Sequence, residues 1–161
     1  ASAFFNHGVE HIAFGWDHLL FVFGLMLLVG SNWTLLKTVT AFTVAHSISL
    51  ALATLGVVHP APLPLEALIA LSILFLGPEV IRARRGQTSF TIRHPWVVAF
   101  LFGLVHGLGF AGGLMAIGLP QHDIPLALLM FNLGVECGQL AFIALIMLAE
   151  LVSGRIRRIF Q

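Results

Sequence analysis

The stretch from Gly8 to Phe21, GVEHIAFGWDHLLF, places two acids, Glu10 and Asp17, and two histidines, His11 and His18, in an otherwise apolar segment. In a continuous helix at about 100° per residue, seven residues make about two turns. His11 and His18 then fall on one line, and Glu10 and Asp17 on a neighbouring one. Lipid does not tolerate such a face, so it must point at protein, water or a metal. Groups of the same kinds recur downstream in apolar surroundings: Thr43, His46 and Ser47, then His106 among glycines, then Asn132, Glu136 and Gln139 on one face at i, i+4 and i+7. Imidazoles and carboxylates brought together form a donor set for a divalent transition metal.

The elements that must position these residues follow from composition. Of the 161 residues, 58% are hydrophobic and 9% charged, with a mean hydropathy of +0.99. A soluble domain carries about 25% charged residues. The expectation is an all-α integral membrane protein, a single transmembrane helical domain over residues 1–161. No basic patch with interleaved aromatics is present, so nucleic acid is not an expected partner; the lipid bilayer is. One cysteine, Cys137, excludes an intramolecular disulfide and a Cys-rich zinc framework.

Five apolar segments approach the roughly 20 residues that span a bilayer. They run from about 7 to 30, 35 to 57, 64 to 82, 95 to 118 and 124 to 153, separated by Gly-, Asn- and Pro-containing breaks. Lys37, the four arginines between Arg82 and Arg93, and Arg155, Arg157 and Arg158 would share one side of a five-helix bundle. The excess of Lys and Arg in cytoplasmic loops predicts an outside N-terminus and a cytoplasmic C-terminus in a bacterial inner membrane. An outside N-terminus fits a cleaved signal peptide.

At a rise of about 1.5 Å per residue, the middle of a span lies about ten to twelve residues from either end. That count brings Asp17, His18, His46, His106 and Glu136 to one level near the midplane, and leaves His7, Glu10, His11 and Glu66 in the outer half. The inner half reads as almost purely apolar, with Glu79 and Glu150 snorkelling at its surface. A charge at the bilayer centre costs about 2.5–3.5 kcal/mol or more. A divalent cation would compensate both midplane carboxylates at once. Three histidines with two carboxylates suit Ni²⁺, Co²⁺, Zn²⁺ or Fe²⁺ rather than Mg²⁺ or Ca²⁺. Cys137 and Met130 could add soft donors and admit copper, although Cys137 fits better as a small packing residue. Each histidine alone also fits a buried hydrogen-bonding role, Asp17 with His18 a structural pair or proton relay, and Glu136 a bond to Asn132 or Gln139. The pairs Gly103 and Gly107, and Gly134 and Gly138, are first of all devices for close helix packing. Coincidence at one depth is what favours a metal.

The motifs HIAFGWDHLLF (11–21), TAFTVAHS (40–47), FGLVHG (102–107) and FNLGVE (131–136) resemble, in order, the signatures of the HupE/UreJ membrane proteins, most nearly their second subgroup. The cluster in the first motif is also similar to the metal-binding motif of wider nickel/cobalt transporters. The resemblance implies a nickel or cobalt permease linked to metalloenzyme maturation. It makes His11, Asp17, His18, His46, His106 and Glu136 the metal-site candidates, with His7, Glu10 and Glu66 accessory. The leading expectation is transport of a divalent metal across the inner membrane, driven by gradients or a partner, since no nucleotide-binding loop is present. A homo-oligomer or a maturation protein is a further expected partner. The alternatives are an intramembrane zinc hydrolase, with His-bound metal activating water and Asp17 or Glu136 as general base, and a metal sensor or assembly factor. No HExxH motif supports the zinc reading.

Overall fold

The computed structural model describes residues 2–59, 61–116 and 124–159, without the side chains of residues 62, 111–116 and 154–159. The connection holding His122, expected to be a solvated loop, lies outside the described residues, as do the side chains of Arg155, Arg157 and Arg158.

The elements are α1 (Ser2–Phe14), α2 (Trp16–Leu28), α3 (Asn32–Thr54), α4 (Pro62–Arg84), α5 (Phe90–Arg93), α6 (Pro95–Ala116) and α7 (Ile124–Ile159), with no strand among the described residues. Proline opens α4 and α6, where its missing N–H is not needed. Helices α3 and α4 end at Gly56 and Gly86, whose φ angles are +73° and +69°. After α4, the Gln87 and Gly86 amides donate to the carbonyls of Arg82 and Ala83 at 3.0 Å each, the paired bonds that a left-handed glycine allows.

The protein is an all-α, multi-pass membrane protein. Helix α3, Leu63–Arg84 of α4 and Ile124–Ser153 of α7 are each long and apolar enough to cross a membrane. The first expected span is not one rod: α1 and α2 meet at a 70° bend and make a fourth crossing only as a pair. The fifth apolar rod is α6, 22 residues from Pro95 to Ala116. The five expected segments are present as five helical bodies, the first of them bent; among the described residues alone, three to four are long and apolar enough to cross. Exposed Leu63, Leu71 and Leu74 on α4, and Leu145, Leu148 and Leu151 on α7, give these helices apolar outer faces suited to lipid.

The bend lies at Gly15, with no proline nearby. The Gly15 amide donates to the Ile12 carbonyl at 3.3 Å, and the Gly15 carbonyl starts α2 by accepting from Leu19 at 3.0 Å. A Cβ at Gly15 would strike the His11 carbonyl and crowd His18 Nδ1 at 3.2 Å. Only glycine lets the two half-helices meet this closely. The continuous helix expected over this stretch is thus overturned. Glu10 and Asp17 do not share a line: Glu10 is exposed beside His7 at 3.3 Å, while Asp17 turns inward to His18.

Two apolar clusters lie above and below the polar layer. One holds Phe21, Leu25, Leu35, Val39, Phe42 and Ile143. The other holds Ile12, Leu50, Ala53, Leu128, Phe131 and Val135. The first lies towards the end of the bundle that carries Lys37 and the arginine loop, here the basic end. There Lys37 Nζ sits 4.5 Å over the Trp96 ring, an aromatic and basic pairing suited to a membrane–water interface. Glu79 does not snorkel. It is buried, receives a 2.6 Å bond from Arg82 and is bonded by the Ser89 hydroxyl. Ser89 also caps α5 by accepting from the Ile92 amide at 3.1 Å. The short α5, folded over the end of α4, is what covers the carboxylate.

Candidate metal centre

The polar layer is built from four helices. His11 comes from the last turn of α1, and Asp17 and His18 from the first turn of α2, where the helix dipole favours a carboxylate. His46 comes from the middle of α3 and His106 from the middle of α6. The bend at Gly15 brings the His11 and His18 rings to 4.6 Å between centroids. His18 lies 5.0 Å from His106 and 5.9 Å from His46. His11, His18 and His46 can each offer a ligand atom with mutual separations of no more than 4.8 Å, and so can Asp17, His18 and His106. His18 belongs to both groups, so the two form one centre. Donors opposite one another around a metal at about 2.1 Å stand about 4.2 Å apart, so small side-chain adjustments would close this set on an ion.

The hydrogen bonds around the centre decide what it offers. His18, His46 and His106 are 3%, 0% and 1% exposed. Each is held through one ring nitrogen. His18 Nδ1 lies 3.2 Å from Asp17 Oδ1, and a carboxylate accepts, so Nδ1 carries the hydrogen. His46 Nδ1 lies 3.2 Å from Asn132 Oδ1. The Asn132 amide nitrogen donates to the Leu128 carbonyl at 2.8 Å, which leaves its oxygen facing the imidazole. His106 Nε2 lies 3.0 Å from Ser72 Oγ, whose one proton goes to the Ile69 carbonyl at 2.6 Å. The hydroxyl must therefore accept from His106 Nε2–H. The remaining nitrogens, His18 Nε2, His46 Nε2 and His106 Nδ1, are buried without partners, as is His11 Nε2.

For His18, His46 and His106 the bond on one nitrogen fixes the tautomer and leaves a bare lone pair on the other. Metal-ligating histidines are oriented in this way. An unpaired buried acceptor otherwise loses its hydration for nothing. Phe42 stands 5.1 Å from His106, Phe110 stands 4.1 Å from His11, and Phe131 stacks on Phe110 at 4.8 Å. These rings give the layer apolar walls. A donor set of imidazoles and one carboxylate fits a borderline transition metal and not Mg²⁺ or Ca²⁺.

The other candidates lie elsewhere. Glu136 belongs to neither group; its Oε1 accepts from Thr40 at 2.7 Å. His7, Glu10 and Glu66 are exposed. Cys137 is exposed and outside both groups. His11, counted into the outer half, joins the centre because the bend removes the two-turn separation a straight helix imposes. The inner half is not purely apolar, since Thr43, Gln139, Thr40 and Glu136 bridge α3 and α7 there. Ser72 and Asn132 are the orienting residues: the sequence marks Asn132 only as a polar neighbour of Glu136, and gives Ser72 no role. In sequence each reads as a polar residue free to bond its own helix, which both also do.

Glycines close the walls. A Cβ on Gly103 would strike the Phe42 carbonyl, and one on Gly107 the His46 carbonyl and Ser49 hydroxyl. On the other side Gly8, Gly134 and Gly138 bring α1 against α7, at Phe131, Phe5 and Ile12. No curated protein and no solved structure matches the chain. The family model described as HupE / UreJ protein matches residues 1–159, and by that match, over motifs that supply the centre's histidines, the chain belongs to the HupE/UreJ family.

Proposed function

We propose that the protein binds a divalent transition metal, nickel or cobalt foremost, through His11, Asp17, His18, His46 and His106, and carries it across the bacterial inner membrane as cargo. The observation behind this reading is the set of buried imidazole nitrogens with bare lone pairs, three of them in tautomers fixed by Asp17, Asn132 and Ser72. Membership of the family favours nickel or cobalt as the cargo. Movement is supported by the break at Gly15, which lies between His11 and Asp17. Discontinuous helices at a buried ion site are a recurring arrangement in transporters, because half-helices can shift without breaking a continuous hydrogen-bonded rod.

The test is elemental analysis and a thermal melt in detergent, with and without chelator, on wild type and on His18→Ala, His46→Ala, His106→Ala and His59→Ala. Wild type and the exposed-loop variant His59→Ala should carry metal and melt lower with chelator, because ligand bound to the folded state adds stability. Each of the other three should carry less metal and lose the chelator effect. Ligation needs the bare ring nitrogens, so protons compete with the ion and affinity should fall as pH falls. Metal accumulation by expressing cells then separates transport from binding alone. An unaltered chelator effect in all three variants would sink the metal reading.

A further inference from the structure

Between the histidine centre and the basic end, α3 and α7 face each other through polar side chains. His46, Thr43 and Thr40 follow one another at three-residue steps along α3, and Asn132, Glu136 and Gln139 answer from α7. Three contacts join them: His46 with Asn132 at 3.2 Å, Thr43 with Gln139 at 2.9 Å, and Thr40 with Glu136 at 2.7 Å. The first belongs to the centre. The other two lie beside the apolar cluster of Val39, Phe42 and Ile143, where packing alone calls for no polar group.

Both lower contacts are incomplete. Gln139 is fully buried, yet its amide nitrogen has no partner. The Thr43 hydroxyl lies 3.3 Å from the Val39 carbonyl as well as 2.9 Å from Gln139 Oε1, and it has one proton to give. With that proton on Val39, the Gln139 amide turns over at no steric cost and donates to Thr43. Its bare group is then a carbonyl oxygen on the seam. Glu136 is half-buried in an apolar belt and has no ion-pair partner among the described residues. Lys37, the next residue along the same line of α3, is engaged on Trp96. A carboxylate at this depth needs a counter-charge.

Resting on the transport reading above, we propose that Glu136, Gln139, Thr43 and Thr40 form a second, oxygen-donor station for the same divalent cation, through which it leaves the histidine centre towards the basic end. Oxygen ligands hold borderline metals less firmly than imidazole does. A path conducts when successive sites attract the ion enough to admit it and weakly enough to release it. The imidazole centre selects, and the oxygen station lets go. Asn132 joins the two: its oxygen holds His46, and Glu136 lies one turn further along α7.

The experiment uses the full chain, with Co²⁺ as probe, comparing equilibrium binding in detergent with influx into proteoliposomes. At Co²⁺ concentrations that fill only the tighter histidine centre, Glu136→Gln should bind the ion there with Kd within about twofold of wild type, while influx slows by about tenfold or more. Retained binding and a retained metal-dependent rise in Tm show that this variant is folded. Glu136→Asp, which keeps the carboxylate, should recover part of the flux. Wild-type influx in Glu136→Gln would overturn the station and leave the centre standing. Loss of bound Co²⁺ in Glu136→Gln, as in His46→Ala, would also overturn it, by making Glu136 a ligand of the centre. A wild-type protein that binds Co²⁺ without moving it would overturn the transport reading itself, and the station with it.

Discussion

Helix α3 meets its two main neighbours in opposite ways. Against α6 it is closed by glycine: Gly103 and Gly107 lie on the backbone at Phe42 and His46, with no room for a methyl group. Against α7 it is joined by side chains, through His46, Thr43 and Thr40 with Asn132, Gln139 and Glu136. Backbone contact has no rotamers, so the α6 seam fixes where His106 stands relative to His46. Side-chain contact can exchange partners, so the α7 seam can orient a ligand and still give way. A binding site in a membrane needs both: one wall that measures and one that yields.

The largest effect should come from filling the measuring wall. Gly103→Val would drive a branched side chain into the Phe42 carbonyl, which cannot retreat without moving α3. Overpacking of ordinary side chains costs about 1–3 kcal/mol, and backbone contact should reach or exceed that range. Little monodisperse protein should survive extraction, and what does should melt well below wild type. A variant melting alongside wild type would show that the two seams are alike.

Next comes the orienting bond of the yielding wall. Asn132→Ala frees the His46 tautomer without touching a candidate ligand, and should weaken metal binding by about 10–100-fold, the usual range for such partners. Ser72→Ala tests the same role for His106 from α4, and should weaken binding in the same direction. Titration with Co²⁺ by calorimetry reads both. Unchanged affinity in Asn132→Ala would mean that His46 is held by packing alone.

The smallest effect should be Thr43→Val, which keeps the shape and removes one cross-helix bond. Such bonds in membranes average about 0.6 kcal/mol and reach about 1.7. A shift in Tm of a few degrees at most is expected, measured without metal.

Much of the centre was legible from spacing alone. Counting 1.5 Å per residue from the segment ends brought Asp17, His18, His46 and His106 to one level; α3 and α6 run unbroken through it, and α2 starts at it. The count failed at His11, since it assumed a rod through Gly15. The signal was present: a glycine followed at once by Trp16 and Asp17, an acid in a first turn, is how a new helix starts. Glu136 was counted to the same level as the histidines, but such counts are good to about one turn, 5.4 Å, which is what separates the centre from the contact below it. Ser72 escaped because a serine bonding its own helix looks complete until α6 is placed beside it. The burial of Glu79 depends on α5, four residues whose only local mark is the Ser89 cap.

The elbow at Gly15 also bears on how the protein is made. A chain enters the membrane from its N-terminal side, so His11, Asp17 and His18 are synthesised before His46, Ser72, His106 and Asn132, which surround them. Helices α1 and α2 are 13 residues each, and neither alone reaches across a bilayer. Their ionisable groups have no place in lipid until residues 46, 72, 106 and 132 have followed. This segment leaves the ribosome before α3, α4, α6 and α7, and should be the last of them to take its final depth, waiting at the interface while those helices build the socket. A chain ending at Arg93 should leave residues 2–28 open to a water-soluble cysteine reagent at an introduced position such as Phe21→Cys, a core site that the full chain closes.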